Sequence, residues 1–161
     1  MTTTTDKKIQ VLGQSSDDEK TMRTQFVDRF KQSPIPSSEI LHNLGLYLSR
    51  QSLSRILYMH ELYKQIVDVH GVVMEFGVRW GQNMALYESF RGMYEPFNHS
   101  RKIIGFDTFD GFPTTHVKDG DKVKAGDYGV TSDYETHLAQ VLDYHEKESP
   151  VSHLRKYELV K

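Results

Sequence analysis

Cysteine is absent from the 161-residue chain. That excludes a disulfide framework, a thiolate nucleophile and a cysteine-based zinc site. No apolar run approaches the roughly 20 residues needed to cross a bilayer. The Thr-rich start, Met1 to Lys8, lacks the apolar stretch of a secretory signal. An excess of charge of one sign is also missing. Twenty Lys and Arg against 22 Asp and Glu leave a formal net charge of -2, too weak a field to favour nucleic acid or an anionic membrane. Tryptophan occurs once, as Trp80. These absences predict a soluble, cytoplasmic protein that binds neither nucleic acid nor membrane, with a homo-oligomer allowed.

What is present is ordinary for a globular chain: 26% charged and 37% apolar residues, in a length suited to one domain. Met1 to about Asp18 is polar and reads as a mobile tail. From Asp17 or Asp18 a helical period sets in, with Met22, Phe26, Val27 and Phe30 on one face. Pro34 and Pro36 stop that helix. Ser37 or Ser38 caps a second one carrying Ile40, Leu41, Leu44 and Leu48. A third covers about 52–68, and its broad stripe of Leu53, Ile56, Leu57, Tyr63, Ile66 and Val67 predicts burial on more than one side.

After Gly71 the period changes. Val72-Val73-Met74 and Ile103-Ile104-Gly105-Phe106 are short apolar runs of the buried-strand type. Between them, Gln82 to Tyr94 is helical, with Met84, Ala85, Leu86, Phe90 and Met93 inward. A strand–helix–strand unit predicts an α/β fold with a parallel sheet and a right-handed crossover. Gly111 to about Ser132 is a long polar loop containing Gly120, Gly126 and Gly129. Ser132 or Asp133 caps a further helix with Leu138, Val141 and Leu142 inward, and Tyr157 to Val160 is a third strand.

The chemistry concentrates at Glu75-Phe76-Gly77-Val78-Arg79-Trp80-Gly81, where the first strand meets its helix. Gly77, lacking a Cβ, lets the backbone turn and approach a ligand. Gly81 allows the helix start to pack closely. The helix presents unpaired N–H groups, and Glu75 lies at the carboxyl end of the strand, where ligands bind in open α/β sheets. Thirty residues after Gly77 the second strand ends in Asp107, placed to accept hydrogen bonds from ribose hydroxyls. The plain alternative is a tight strand-to-helix turn and nothing more. Trp80 either flanks a ligand or wedges the helix. Arg79 either meets a carboxylate or is a solvated loop residue. The loop with Gly126-Asp127-Tyr128 is either a lid or surface, and Asp119, Asp121, Lys122 and Lys124 read as solvated. His137, His145 and His153 have no ligand spacing.

The stretch from Gly71 to Pro113, above all Glu75 to Gly81 and Gly105-Phe106-Asp107-Thr108-Phe109-Asp110-Gly111-Phe112-Pro113, resembles the macrocin/mycinamicin-type sugar O-methyltransferases, in particular those described as deoxyhexose 3-O-methyltransferases. The resemblance extends over most of the chain and implies the N-terminal half of a Rossmann-like class I methyltransferase: a helical segment, then about three parallel strands with crossover helices. It implies S-adenosylmethionine as donor and a sugar hydroxyl, on a nucleotide-linked deoxyhexose, as acceptor. It implies cofactor binding by Glu75, Phe76, Gly77, Gly81, Asp107 and Thr108, with Glu75, Gly77 and Gly81 on the methionine side and Asp107 on the ribose.

Three parts follow from this reading: a tail over 1–18, a helical segment over 19–70 and an incomplete donor-binding half-domain over 71–161. In the family, magnesium-binding acidic residues and the catalytic base lie beyond the third strand. They are expected beyond Lys161, so no metal site or catalytic residue is expected in this chain. The expectation is a fragment or truncated product, not competent alone, with Mg2+ needed only by the complete enzyme. Its first strand would offer a bare apolar edge and its stability would be marginal. Two other readings share the architecture: an NAD-type oxidoreductase half-domain, against which Glu75 counts because a carboxylate repels pyrophosphate, and a non-catalytic nucleotide-binding or interaction module.

Overall fold

The computed structural model describes residues 15–116, 118 and 123–161. Most of the expected tail, and Gly120, Asp119, Asp121 and Lys122 of the expected loop, lie outside the described residues. The chain divides into two units, at residues 57 and 58.

The first unit holds α1 (Asp17–Lys31), α2 (Ser37–Ile40) with its 3-10 continuation Leu41–Tyr47, and the start of α3 (Arg50–Lys64). α1 opens on a capping box. The Glu19 N–H donates to Ser16 Oγ at 3.3 Å, and the Ser16 N–H donates to the Glu19 carboxylate at 3.0 Å. Asp17, Asp18 and Glu19 place negative charge on that helix end, where the helix dipole favours it. Phe26 and Phe30 gather around Tyr47, with ring centroids 6.2 and 4.9 Å away. The Tyr47 hydroxyl donates to Ser33 Oγ at 2.7 Å. The apolar stripe of α1 is present but not buried: Met22 is 64% and Val27 48% exposed.

The second unit, from Tyr58 onward, contains the sheet. Strands β1 (Val73–Phe76), β2 (Ile103–Phe106) and β3 (Tyr157–Val160) run parallel in the order β1-β2-β3. Val73 pairs with Ile103 and Ile103 with Tyr157, so one register row crosses the sheet. α4 (Gln82–Tyr94) joins β1 to β2, and α5 (Tyr134–Glu148) precedes β3. Side chains alternate along each strand. Val73, Ile103, Tyr157 and Leu159 meet Met84 of α4 and Leu138 and Leu142 of α5 in the core. Gly105 makes this close approach possible, because a Cβ there would collide with Met84 Sδ and Val78 Cγ2. The opposite face is bare among the described residues. Met74 is 53% and Phe76 76% exposed, and Phe76 stacks on Phe106 at 4.9 Å.

Three expectations shift. The broad stripe of α3 is not buried on several sides; within the helix only Tyr63 is buried, and Leu53 and Leu57 are 44% and 54% exposed. Met93 of α4 is 65% exposed, not inward. α3 also ends at Lys64 rather than near Asp68. The physical reason is Arg101. Its guanidinium donates to the carbonyls of Ile66 (2.8 Å) and Gly71 (3.1 Å). It thereby supplies donors to a turn that a continued helix would have satisfied itself. Glu95 holds Arg101 through two hydrogen bonds of 2.9 Å and accepts the Tyr63 hydroxyl at 2.7 Å. Burial acts to raise the Glu95 carboxyl, but hydrogen bonds from Arg101, Tyr63 and Asn98, together with the Arg101 charge, hold it below its ordinary value.

A second buried charge cluster lies at the amino ends of the strands. Arg91 donates to Glu146 at 3.0 Å and to the Lys156 carbonyl at 3.1 Å, and the Lys156 ammonium pairs with the same carboxylate. Glu88 sits beside them, 2% exposed, with both carboxylate oxygens lacking hydrogen-bond donors. Burial pushes its pKa up to about 8, and the nearby Arg91 charge only partly offsets this. The folded chain therefore keeps a proton that the unfolded chain releases near 4.5. Stability is fully retained below that value and is lost as pH rises through about 8. Chemical denaturation from pH 5 to 8.5 should show this loss. Glu88→Gln should flatten it, with a gain of about 1–3 kcal/mol at pH 8.5; an unchanged slope would reject a neutral Glu88.

Candidate functional site

The carboxyl ends of β1 and β2 lie side by side, and the backbone there is shaped by a few unusual torsions. Gly77 (φ 83°) and Gly81 (φ 72°) occupy the left-handed region that glycine enters without cost. Gly81 is buried, and a Cβ on it would strike the Leu138 side chain. Its role is thus to seat the start of α4 against α5. The Gly77 N–H donates to the Phe106 carbonyl at 2.9 Å, extending the β1–β2 ladder one residue into the turn.

Asp107 ties the two turns together. Its Oδ2 accepts the Arg79 N–H at 2.7 Å, and its Oδ1 accepts the Phe109 N–H at 2.6 Å. Hydrogen bonds from two backbone amides to one carboxylate are of the strong, charge-assisted kind. Each oxygen keeps a second lone pair, so the carboxylate can still accept from a ligand. Thr108 is committed differently: its hydroxyl donates to the Gly111 carbonyl at 2.8 Å and closes the next turn.

The long loop after β2 is fastened at its base. The Phe112 N–H donates to the Asp127 carbonyl (3.0 Å) and the Gly126 N–H to the Phe112 carbonyl (2.9 Å). Gly111, at φ 83°, permits this because a Cβ would run into the Asp127 carbonyl oxygen. The fastening brings Tyr128 to Phe112, ring edge to ring face at 5.5 Å. Tyr128 also lies over the Arg79 guanidinium, 5.3 Å from its carbon.

These residues enclose a cavity of about 380 Å3. Its polar wall is Arg79, Asp107 and Thr108, with Gly77 and Gly111 at the backbone turns; its apolar wall is Phe106, Phe112, Pro113 and Tyr128. A larger hollow, about 650 Å3, lies open beside β3 and α5 and includes Glu135, Arg155 and Glu158. It has neither the glycine turns nor the strand carboxyl ends where open α/β sheets bind ligands. The smaller cavity is the candidate site.

Of the six residues expected to bind a cofactor, Gly77, Asp107 and Thr108 line this cavity. Glu75, Phe76 and Gly81 are not among its wall. Glu75 Oε1 accepts from Asn83 Nδ2 at 2.7 Å, joining the strand end to the first turn of α4. Phe76 lies on the bare face of the sheet. Trp80 is also outside the wall. It meets Tyr134 edge-on at 4.7 Å, and its carbonyl accepts the Tyr134 hydroxyl at 2.9 Å. These contacts place Trp80 against α5. Phe106, Phe112 and Pro113 of the wall figure in the sequence reading only within the run that carries the resemblance, and Tyr128 only in a loop read as either lid or surface; none of them is expected there as a binding residue. The one signal available was Gly126-Asp127-Tyr128, a turn sequence in a loop too long to be idle.

No known protein-family profile matches the chain, and no curated protein does. Solved structures do match. A crystal structure of the calicheamicin methyltransferase CalS11 is 38% identical, with a TM-score of 0.88, covering 92% of this chain and 59% of that one. An apo structure of CalS11, described as a TDP-rhamnose 3'-O-methyltransferase of calicheamicin biosynthesis, is 34% identical with a TM-score of 0.77, covering 93% of this chain and 57% of that one. This chain thus spans about three-fifths of the solved relative.

The bridge made by Asp107 has a measurable consequence. Asp107→Ala strands the N–H groups of Arg79 and Phe109, and Phe109 is buried. A loss of about 1–3 kcal/mol in urea unfolding is expected. An unchanged midpoint would mean the two turns hold without it.

Proposed function

We propose that this chain, which belongs by sequence and fold to the sugar O-methyltransferases, binds S-adenosylmethionine at the ends of β1 and β2 and forms the donor-binding part of an enzyme that methylates a sugar hydroxyl, on a nucleotide-linked deoxyhexose. One observation carries the reading: Gly77 and Asp107, at the ends of adjacent parallel strands, border one cavity whose remaining wall includes the rings of Phe106, Phe112 and Tyr128. A nucleoside needs those two things together. The lone pairs that Asp107 keeps free suit a ribose diol. Phe112, Pro113 and Tyr128 offer flat apolar surface to a purine. Gly77, without a Cβ, admits a ligand close to the backbone.

When bound, the donor supplies an electrophilic methyl carbon on a sulfonium. The chain's own part is to fix that donor's position, since in-line displacement depends on alignment above all. Asp107 does so from a carboxylate that is itself fixed by two amides. Glu75 acts from behind, holding the first turn of α4 through Asn83.

Among the described residues no three His, Asp or Glu side chains converge. The acceptor-binding and metal-binding groups, and the base that takes the hydroxyl proton, belong in this proposal to the two-fifths of the relative's length that the chain does not span. Among the described residues no helix is long and apolar enough to cross a membrane; a cytoplasmic setting and a small sugar acceptor are parts of the proposal.

S-adenosylhomocysteine and NAD separate the two nucleotide readings. At about 100 times its dissociation constant, S-adenosylhomocysteine should raise the melting temperature by several degrees, corresponding to about 2.7 kcal/mol. NAD should leave it unchanged. A shift with NAD alone would support the oxidoreductase reading, and no shift with either would support the non-catalytic module.

A further inference from the structure

The guanidinium of Arg79 borders the cavity with a charge that no described carboxylate neutralises. The buried cations each have a carboxylate: Arg91 and Lys156 share Glu146, and Arg101 has Glu95. Arg79 has none among the described residues. Its Nε is buried and meets no hydrogen-bond acceptor. Instead its guanidinium carbon lies 5.7 Å from the Trp80 ring centroid and 5.3 Å from that of Tyr128. Aromatic faces attract a cation but bring no countercharge. They leave the in-plane N–H donors of the guanidinium available.

The backbone adds a second observation. Arg79 holds φ 49° and Tyr128 φ 63°, both in the left-handed region that costs any residue with a Cβ. Two such residues, from loops 49 positions apart, meet side chain to side chain across one cavity. Glycine would fill position 79 without strain, so the arginine side chain is kept against a local cost. Within the cavity wall, Arg79 is the cation, while Asp107 repels anions and the Thr108 hydroxyl is committed to Gly111.

We propose that Arg79 is the oxyanion-recognition residue of this cavity. Its ligand is a carboxylate or phosphate oxygen pair, from either the amino-acid end of the methyl donor or the phosphates of a nucleotide-linked acceptor. Both match the planar fork of an arginine. Trp80 and Tyr128 hold the plane of that fork, so the tyrosine brought in by the long loop becomes part of ligand selection. The proposal rests on the donor reading above and narrows it.

Calorimetric titration of the full chain tests it with three probes. S-adenosylhomocysteine carries the carboxylate. 5'-Methylthioadenosine has the same adenosine and sulfur but no amino-acid end. Thymidine diphosphate supplies the phosphates. The proteins are wild type, Arg79→Gly, which relieves the backbone strain as it removes the charge, and Arg79→Lys, which keeps the charge without the fork. If the donor carboxylate is the ligand, Arg79→Gly weakens S-adenosylhomocysteine about tenfold or more and leaves methylthioadenosine unchanged. If the acceptor phosphates are the ligand, only thymidine diphosphate weakens, by a similar factor. Arg79→Lys falls between in either case.

Equal binding of all three probes by wild type and Arg79→Gly overturns the proposal and leaves the donor reading intact. A parallel loss of methylthioadenosine with the other two also overturns it, because the arginine would then merely shape the pocket. A wild-type chain that binds no adenosine ligand overturns the donor reading. Thymidine diphosphate binding that persists there and is lost in Arg79→Gly would still support the oxyanion site, and its absence would end both.

Discussion

The carboxylate of Asp107, shared between the N–H groups of Arg79 and Phe109, is the contact on which the site depends. Parallel strands bring two turns to the same edge of a sheet but do not specify how those turns sit against each other. Here a single charged side chain at the end of β2 fixes both. It draws the turn after β1 across to β2 and sets the one after β2 under the long loop. The positive φ values at Arg79 and Phe109 are conformations that a free loop would leave. With their amides bound to one carboxylate, they are retained. The cavity exists because these two turns cannot relax.

The packing beneath makes that arrangement rigid. Gly105 and Gly81 remove the Cβ atoms that would hold α4 away from the sheet and from α5. Helix and strand therefore meet at distances set by Met84, Val78 and Leu138. At the opposite end of the strands, Arg91, Glu146 and Lys156 bind one another and the Lys156 backbone. Removing a partner from such a group leaves an uncompensated buried charge, so it locks the connection into β3 more than it adds net stability. One end of the sheet is thus locked by charge, and the other is left to present a cavity. The face bearing Met74 and Phe76 remains apolar and exposed among the described residues.

Much of this was readable in the sequence where the signal was local. Strand runs at Val73–Phe76, Ile103–Phe106 and Tyr157–Val160, and the helices at Gln82–Tyr94 and Tyr134–Glu148, follow from periodicity and glycine placement. Gly77 and Asp107 were legible because their chemistry is tied to a strand end. Phe112 and Tyr128 were not. Their meeting depends on Gly111 touching the Asp127 carbonyl, a contact across 16 positions with no periodic trace. The apolar stripes of α1 and α3 misled for the converse reason. A stripe shows that a surface could be buried, and whether it is depends on what covers it. Arg79 was ambiguous in sequence because a cation over two rings and a solvated cation have the same neighbours in the chain.

Ligand binding is proposed in the cavity joined by Asp107, at the ends of β1 and β2. Amide NMR of the chain titrated with S-adenosylhomocysteine tests it most directly. The largest shifts should fall on Gly77, Arg79, Asp107, Phe109 and Tyr128, with the amides around Arg155 and Glu158 unmoved. Shifts confined to the open hollow beside β3 and α5, with Gly77 and Asp107 silent, would contradict it.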